Sequence, residues 1–309
     1  MEGHSLRKSI VTGEFTLPVM ALLTLPLWAL PDWANWSLWA GLVLTGFTAY
    51  LIMELNNRNT LLRIRSRMMS TTFLFLMLIC PQLHGLHSGM LSMLLWVLSY
   101  HTLFASYQHR RPEGYVFHTF LCVGLGSLLF PPLLLFALGF YFCLLIPLRG
   151  LTWRTFMAGI FGLALPYWAS AAYAIWHNRL DSAFLYLPQW FVPQLPDFSV
   201  LSQAEVVSAV VLLLFSIPAF IHFFHTAYND KIRIRMLFYC ITTQQVLLTA
   251  ALGGLPQYYH DIMPIYVVNT ALLMAHYYAL ARARWFPAWF NLSALLLSAL
   301  GIYNYVWGC

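Results

Sequence analysis

The chain has 309 residues, of which 61% are hydrophobic and only 8% charged, with a formal net charge of +6. That composition excludes a soluble globular domain and a disordered segment, both of which carry far more polar surface. The basic excess falls in short clusters between long apolar runs, which points to anionic lipid headgroups and not to nucleic acid.

In chain order, the apolar runs predict eleven membrane spans, at roughly 15–31, 37–55, 68–84, 88–107, 115–130, 132–147, 155–176, 205–226, 235–254, 262–281 and 288–307. At about 20 residues per crossing, they leave no room for a soluble domain. Residues 1–309 therefore read as one integral membrane domain, an all-α polytopic transmembrane helical bundle. Residues 1–13 read as a short polar lead without the small-residue cleavage site of a signal peptide. Pro18 and Pro26 interrupt the first span, and the fifth and sixth meet at Pro131 and Pro132. Broken helices of this kind are tolerated where neighbouring protein or water satisfies the freed backbone groups.

With the connections taken alternately in and out from a cytoplasmic N-terminus, 15 of the 16 Lys and Arg residues fall inside, and only Arg179 falls outside. The positive-inside rule then sets the N-terminus in and the C-terminus out, in a bacterial inner membrane. The five cysteines lack Cys-x-x-Cys spacing and read as buried small apolar residues without a disulfide.

Two connections are longer than the rest. The inside stretch 56–67, NNRNTLLRIRSR, sets Arg58, Arg63, Arg65 and Arg67 directly before the third span. Guanidinium forks match phosphate oxygens in pairs, so these residues, with Arg179 on the far side, are candidate ligands for a lipid phosphate or diphosphate. The outside stretch 177–203 carries Leu180, Phe184, Leu187 and Phe191 at helical spacing, which predicts an amphipathic interfacial helix. Asp32, Asp181 and Asp261 are the candidate catalytic carboxylates of the outer side, where a general base would meet a lipid headgroup.

His84-x-x-His87 and His222-x-x-His225 each place two rings on one helical face. They read as hydrogen-bonded interfacial histidines. The alternative is a metal site drawing on His222, His225, His101 and His276. The spacing implies no metal and no cofactor. Walker, Gly-x-Ser-x-Gly and His-Glu-x-x-His motifs are absent, which argues against nucleotide hydrolysis and simple protease chemistry.

The segment NNRNTLLRIRSRMM, followed further on by VGLGSLLFPPLLLFALGFYFCLLIPLRGLTWRTFMAGIFGLALPYW, resembles a bacterial family of multi-spanning membrane proteins known as a domain of unknown function. The same middle stretch is similar to the core of membrane glycosyltransferases that use polyprenyl-phosphate sugars. That likeness implies a lipid-linked sugar as partner and an acidic catalytic residue in the first outer loop, where Asp32 is the only acid. The expectation is an inner-membrane protein that handles a lipid-linked glycan or polyprenyl phosphate in contact with membrane lipids. The alternative is a transporter or a non-catalytic subunit of an envelope complex.

Overall fold

The computed structural model describes residues 6–13, 15–28, 30, 32–177, 196–281 and 285–307. Its regular structure is helical, with no strand among the described residues. In chain order the helices are α1 (Leu6–Thr12), α2 (Thr16–Trp28), α3 (Trp36–Asn59), α4 (Met68–Leu78), α5 (Ser88–Ser106), α6 (Glu113–Leu129), α7 (Leu134–Leu145), α8 (Trp153–Trp176), α9 (Gln203–Thr226), α10 (Ile232–Gly254), α11 (Tyr259–Leu280) and α12 (Phe286–Trp307). Each of the eleven apolar runs holds one α-helix. Six of these, α3, α5, α8, α9, α10 and α12, are long and apolar enough to cross a membrane, which marks a multi-pass membrane protein by length and composition. The surface agrees with this, because Val43, Phe47, Leu138, Phe161, Leu214 and Ile302 stand exposed in mid-helix. In water such a surface would aggregate.

Helix α11 forms the centre. It packs against α4, α5, α9 and α10, and every residue from Ile262 to Ala279 is buried. A helix that is apolar around its whole circumference belongs in an interior. Two of its polar side chains are matched within the bundle: Asn269 Oδ1 accepts from Tyr100 OH at 2.9 Å and Trp96 Nε1 at 3.3 Å, and Gln245 Nε2 donates to Thr270 Oγ1 at 3.1 Å. Helix α4 has only 11 residues, ten of them buried, and the 3-10 turn Pro81–Leu83 follows after two residues. Its flanks are protein, so it need not match the hydrocarbon thickness. Pro26 is accommodated inside a continuous α2, which the sequence had suggested would be interrupted there.

Helix α8 is peripheral and is held by small residues. Thr155, Gly159, Gly162 and Pro166 form its buried stripe, and its neighbour is α6. A Cβ on Gly162 would lie 2.4 Å from the Phe117 carbonyl oxygen. Close backbone approach at small residues is how helices associate when lipid offers no hydrophobic drive.

Two expectations are corrected at the N-terminal side. The polar lead contains α1, with Val11 buried and its carbonyl accepting from Ser66 Oγ. The 56–67 stretch is not all connection, because α3 continues to Asn59 and ends at Thr60 in the left-handed region, φ 51°. The predicted amphipathic helix over 180–191 lies outside the described residues.

The connections sort into two ends. The segments around residues 12–13, 56–67 and 229–234 share one cavity, and those around 106–112, 146–152 and 232–243 share another. Both cavities lie at a basic end. The opposite end gathers the 32–37, 82–88, 202–205 and 256–261 segments through contacts of Ser37 with Leu86, His87 with His260, and Glu205 with His260.

Candidate functional site: a basic cavity

The first cavity, about 860 Å³, opens at the basic end and is lined by Arg63, Arg65, Arg67 and Lys231 with Thr12, Asn56, Asn57, Thr60, Ser66 and Asn229 among its polar residues. Its wall is built by side chains that replace regular structure. Asn56 Nδ2 donates to the Ser66 carbonyl and Asn56 Oδ1 accepts from Leu62 N–H, each at 3.1 Å, which folds the 60–67 connection back on α3. Ser66 Oγ accepts from Met68 N–H at 3.1 Å while donating to the Val11 carbonyl, which ties α1 to the start of α4. The alternating Arg-Ile-Arg-Ser-Arg run then projects its cations to the cavity while Leu61, Leu62, Ser66 and Met68 are buried.

The floor is ionic. Arg63 Nε lies 2.5 Å from Asp230 Oδ1, and His276 Nε2, from the central helix, lies 3.3 Å from Asp230 Oδ2. The Asp230 carboxylate is inaccessible to solvent, while the Arg63 side chain keeps 31% exposure. Burial alone would raise the Asp230 pKa. The hydrogen bonds and charges of His276 and Arg63 outweigh it, so the carboxyl sits below its ordinary value of 3.8. Alongside, Arg233 Nη2 donates to Asn59 Oδ1 at 3.0 Å.

Among the described residues, no carboxylate lines this cavity. Both α4 and α10 begin there, at Arg67 and Lys231, and neither of these two residues caps its helix with its own side chain, although Ser66 takes the Met68 N–H of α4. Helix N-termini present backbone N–H groups and a partial positive charge. Together with the guanidinium and ammonium groups they make a site for an anion, and oxygens of phosphate geometry suit it best.

The predicted phosphate ligands therefore divide. Arg63, Arg65 and Arg67 share this cavity. Arg58 does not line it, because its Nε bonds Glu54 at 2.6 Å on the exposed face of α3. Arg179 and Asp181 lie outside the described residues. At the opposite end, Asp32 accepts from Ala34 N–H within its own turn, and Asp261 accepts from Ser88 Oγ. No hydrogen bond joins Asp32 to Asp261 among the described residues. Lys231, Asn56 and the Asp230–His276 pair were not singled out by sequence. Asp230 and Lys231 stand directly before α10, and their pairing with residues 56–67 is a tertiary fact.

The histidine quartet does not converge. His101 Nε2 lies 2.9 Å from the Leu51 carbonyl, and the His222 and His276 rings are 6.2 Å apart. Among the described residues, no group of three or more His, Cys, Asp or Glu side chains is placed to hold a metal ion.

Comparison of the chain with protein-family models, curated proteins and solved structures gives no match.

Proposed function

We propose that the protein is a multi-pass protein of the bacterial inner membrane that takes the phosphate or diphosphate of a lipid-linked substrate, of the polyprenyl phosphate type, at the basic cavity on its cytoplasmic side. The observation that carries this reading is the convergence of Arg63, Arg65, Arg67 and Lys231 on one cavity with no lining carboxylate among the described residues. Arg63 is tethered to Asp230, so it sets the position of the site. Arg65 and Arg67 are exposed on the cavity side and are assigned to phosphate recognition.

The test is binding of polyprenyl phosphate to the purified full chain in detergent. Arg65→Gln/Arg67→Gln should weaken binding by about tenfold or more, since each charge-assisted bond is worth about 1.5–3 kcal/mol. Arg65→Lys/Arg67→Lys keeps the charge but loses the paired donors, and should recover only part of the affinity. Equal affinity in all three proteins would reject phosphate recognition here and leave the cluster as membrane anchoring.

A further inference from the structure

The basic end holds a second cavity, of about 970 Å³, between the α5–α6 connection, the α7–α8 connection and the first turns of α10. Three arginines line it, Arg110, Arg149 and Arg235, one from each segment, and among the described residues no Asp or Glu does. Among the described residues, none of these three guanidiniums has an ion pair or a side-chain hydrogen bond. In contrast, Arg58, Arg63 and Arg233 each have a partner. Three like charges around one cavity repel one another unless an anion enters.

The backbone points the same way. Among the described residues, three non-glycine positions have positive φ: Thr60, Gln108 and Arg149. Thr60 lines the first cavity, and Gln108 and Arg149 line the second. Arg149 stands four residues beyond α7 at φ 49°, in a turn where Gly150 N–H and Leu151 N–H return to the Leu144 carbonyl at 2.8 and 3.1 Å. Glycine is the usual residue in such a left-handed conformation. An arginine kept there in a left-handed conformation is a cost to the fold, and residues held this way cluster at binding sites. The open side of the cavity is apolar: Phe142, Ile146, Phe224 and Ile232 line it and are exposed on the outside of the bundle.

We propose that this second cavity binds the headgroup of an anionic phospholipid, with phosphate oxygens on Arg110, Arg149 and Arg235 and acyl chains along Phe142, Ile146, Phe224 and Ile232. The proposal shares with the function above only the membrane setting, and it uses different residues. Three cations favour a headgroup with more than one negative charge. A free phosphate has the same headgroup chemistry but cannot use the apolar side.

Cardiolipin is the probe, titrated onto the purified full chain in detergent and followed by native mass spectrometry, with phosphatidylcholine as the neutral comparison. The wild-type chain should bind cardiolipin at least tenfold more tightly than phosphatidylcholine. The decisive variant is Arg149→Gly, which removes a ligand and also relieves the backbone. It should melt no lower than wild type without lipid, yet bind cardiolipin about tenfold more weakly. Arg110→Gln/Arg235→Gln should lose more, and Arg58→Gln, which breaks only a surface pair, should lose nothing. Binding of polyprenyl phosphate should persist in Arg149→Gly, which separates failure at this site from failure at the first. Unchanged cardiolipin affinity in both second-cavity variants would overturn the proposal. So would displacement of cardiolipin by inorganic phosphate at an equal concentration, because the chains would then contribute nothing.

Discussion

Asp230 and His276 meet where the basic end joins the core: His276 Nε2 lies 3.3 Å from one carboxylate oxygen, while Arg63 Nε lies 2.5 Å from the other. A buried helix and a surface connection are thus joined through one carboxylate. Removing that carboxylate leaves a guanidinium and an imidazole without their common partner. Asp230→Asn should destabilise the protein at neutral pH by about 2 kcal/mol, between the values for exposed and buried pairs. The sign with pH follows from the lowered Asp230 pKa. A depressed carboxyl contributes stability above its ordinary value of 3.8, and the contribution is lost as pH falls through the folded-state value. The gap in melting temperature between wild type and Asp230→Asn should therefore be constant from neutral pH to about 5 and close in stronger acid. A gap unchanged in stronger acid would show that the carboxylate is not what holds Arg63.

His84 ties the segment after α4 to the end of α2. Its ring stacks on Trp28 with centroids 3.6 Å apart and contacts the Trp28 and Met77 carbonyls at 3.2 and 3.1 Å. The ring is fully buried. His84→Phe keeps a flat ring on Trp28 but loses the polar contacts, and should cost about 1–3 kcal/mol. His84→Ala also removes the stacked ring and should melt lower still. Equal melting temperatures of the two variants would mean that the stack on Trp28 contributes nothing to the fold.

Much of the bundle was legible because the apolar runs are long and their ends are marked by Arg, Pro and Gly. All eleven runs hold helices, and most ends lie within about four residues of those read from sequence, whereas α4 stops at Leu78, six residues before the end of its run. What escaped depended on distant partners. Residues 6–12 are helical because Val11 is buried and its carbonyl meets Ser66, 55 positions away. Asn59 stays helical because its Nδ2 bonds the Leu55 carbonyl and its Oδ1 takes Arg233. The arginines were visible as a cluster, but their division was not. Arg58 is spent on Glu54, Arg63 on a carboxylate 167 positions away, and Arg65 and Arg67 line a cavity. No local pattern distinguishes these roles.

The α6–α8 contact predicts a contrast between glycines. A Cβ at Gly162 would meet the Phe117 carbonyl at 2.4 Å and Leu121 N at 3.1 Å, both backbone atoms that cannot rotate away. Gly162→Ala should push α8 off α6 and cost about 1–3 kcal/mol. At Gly46 on α3 nothing lies within 4 Å of the added atom. Gly46→Ala should leave stability unchanged or raise it by up to about 1 kcal/mol, the helix preference of alanine over glycine. Thermal unfolding of the two variants in one detergent checks both. Equal effects would mean that α8 is not seated on α6 through its glycine stripe.

The two ends of the bundle give a prediction about orientation. The segments that bring Arg65, Lys231, Arg110 and Arg149 together line the two basic cavities, while Ser202, Glu205, His260 and His87 adjoin at the far end. Cytoplasmic segments of membrane proteins carry the excess of Lys and Arg. Reporter fusions after Arg67, Arg111 and Lys231 should therefore report the cytoplasm, and a fusion after Ser202 should report the outside. Ser202 and Lys231 are the sharpest pair, because α9 and the 3-10 turn Ala227–Asn229 are all that separates them. Opposite signals from these two positions require α9 to cross the membrane. Matching signals would mean that it does not, and the basic cavities could no longer be assigned to the cytoplasmic face on charge alone.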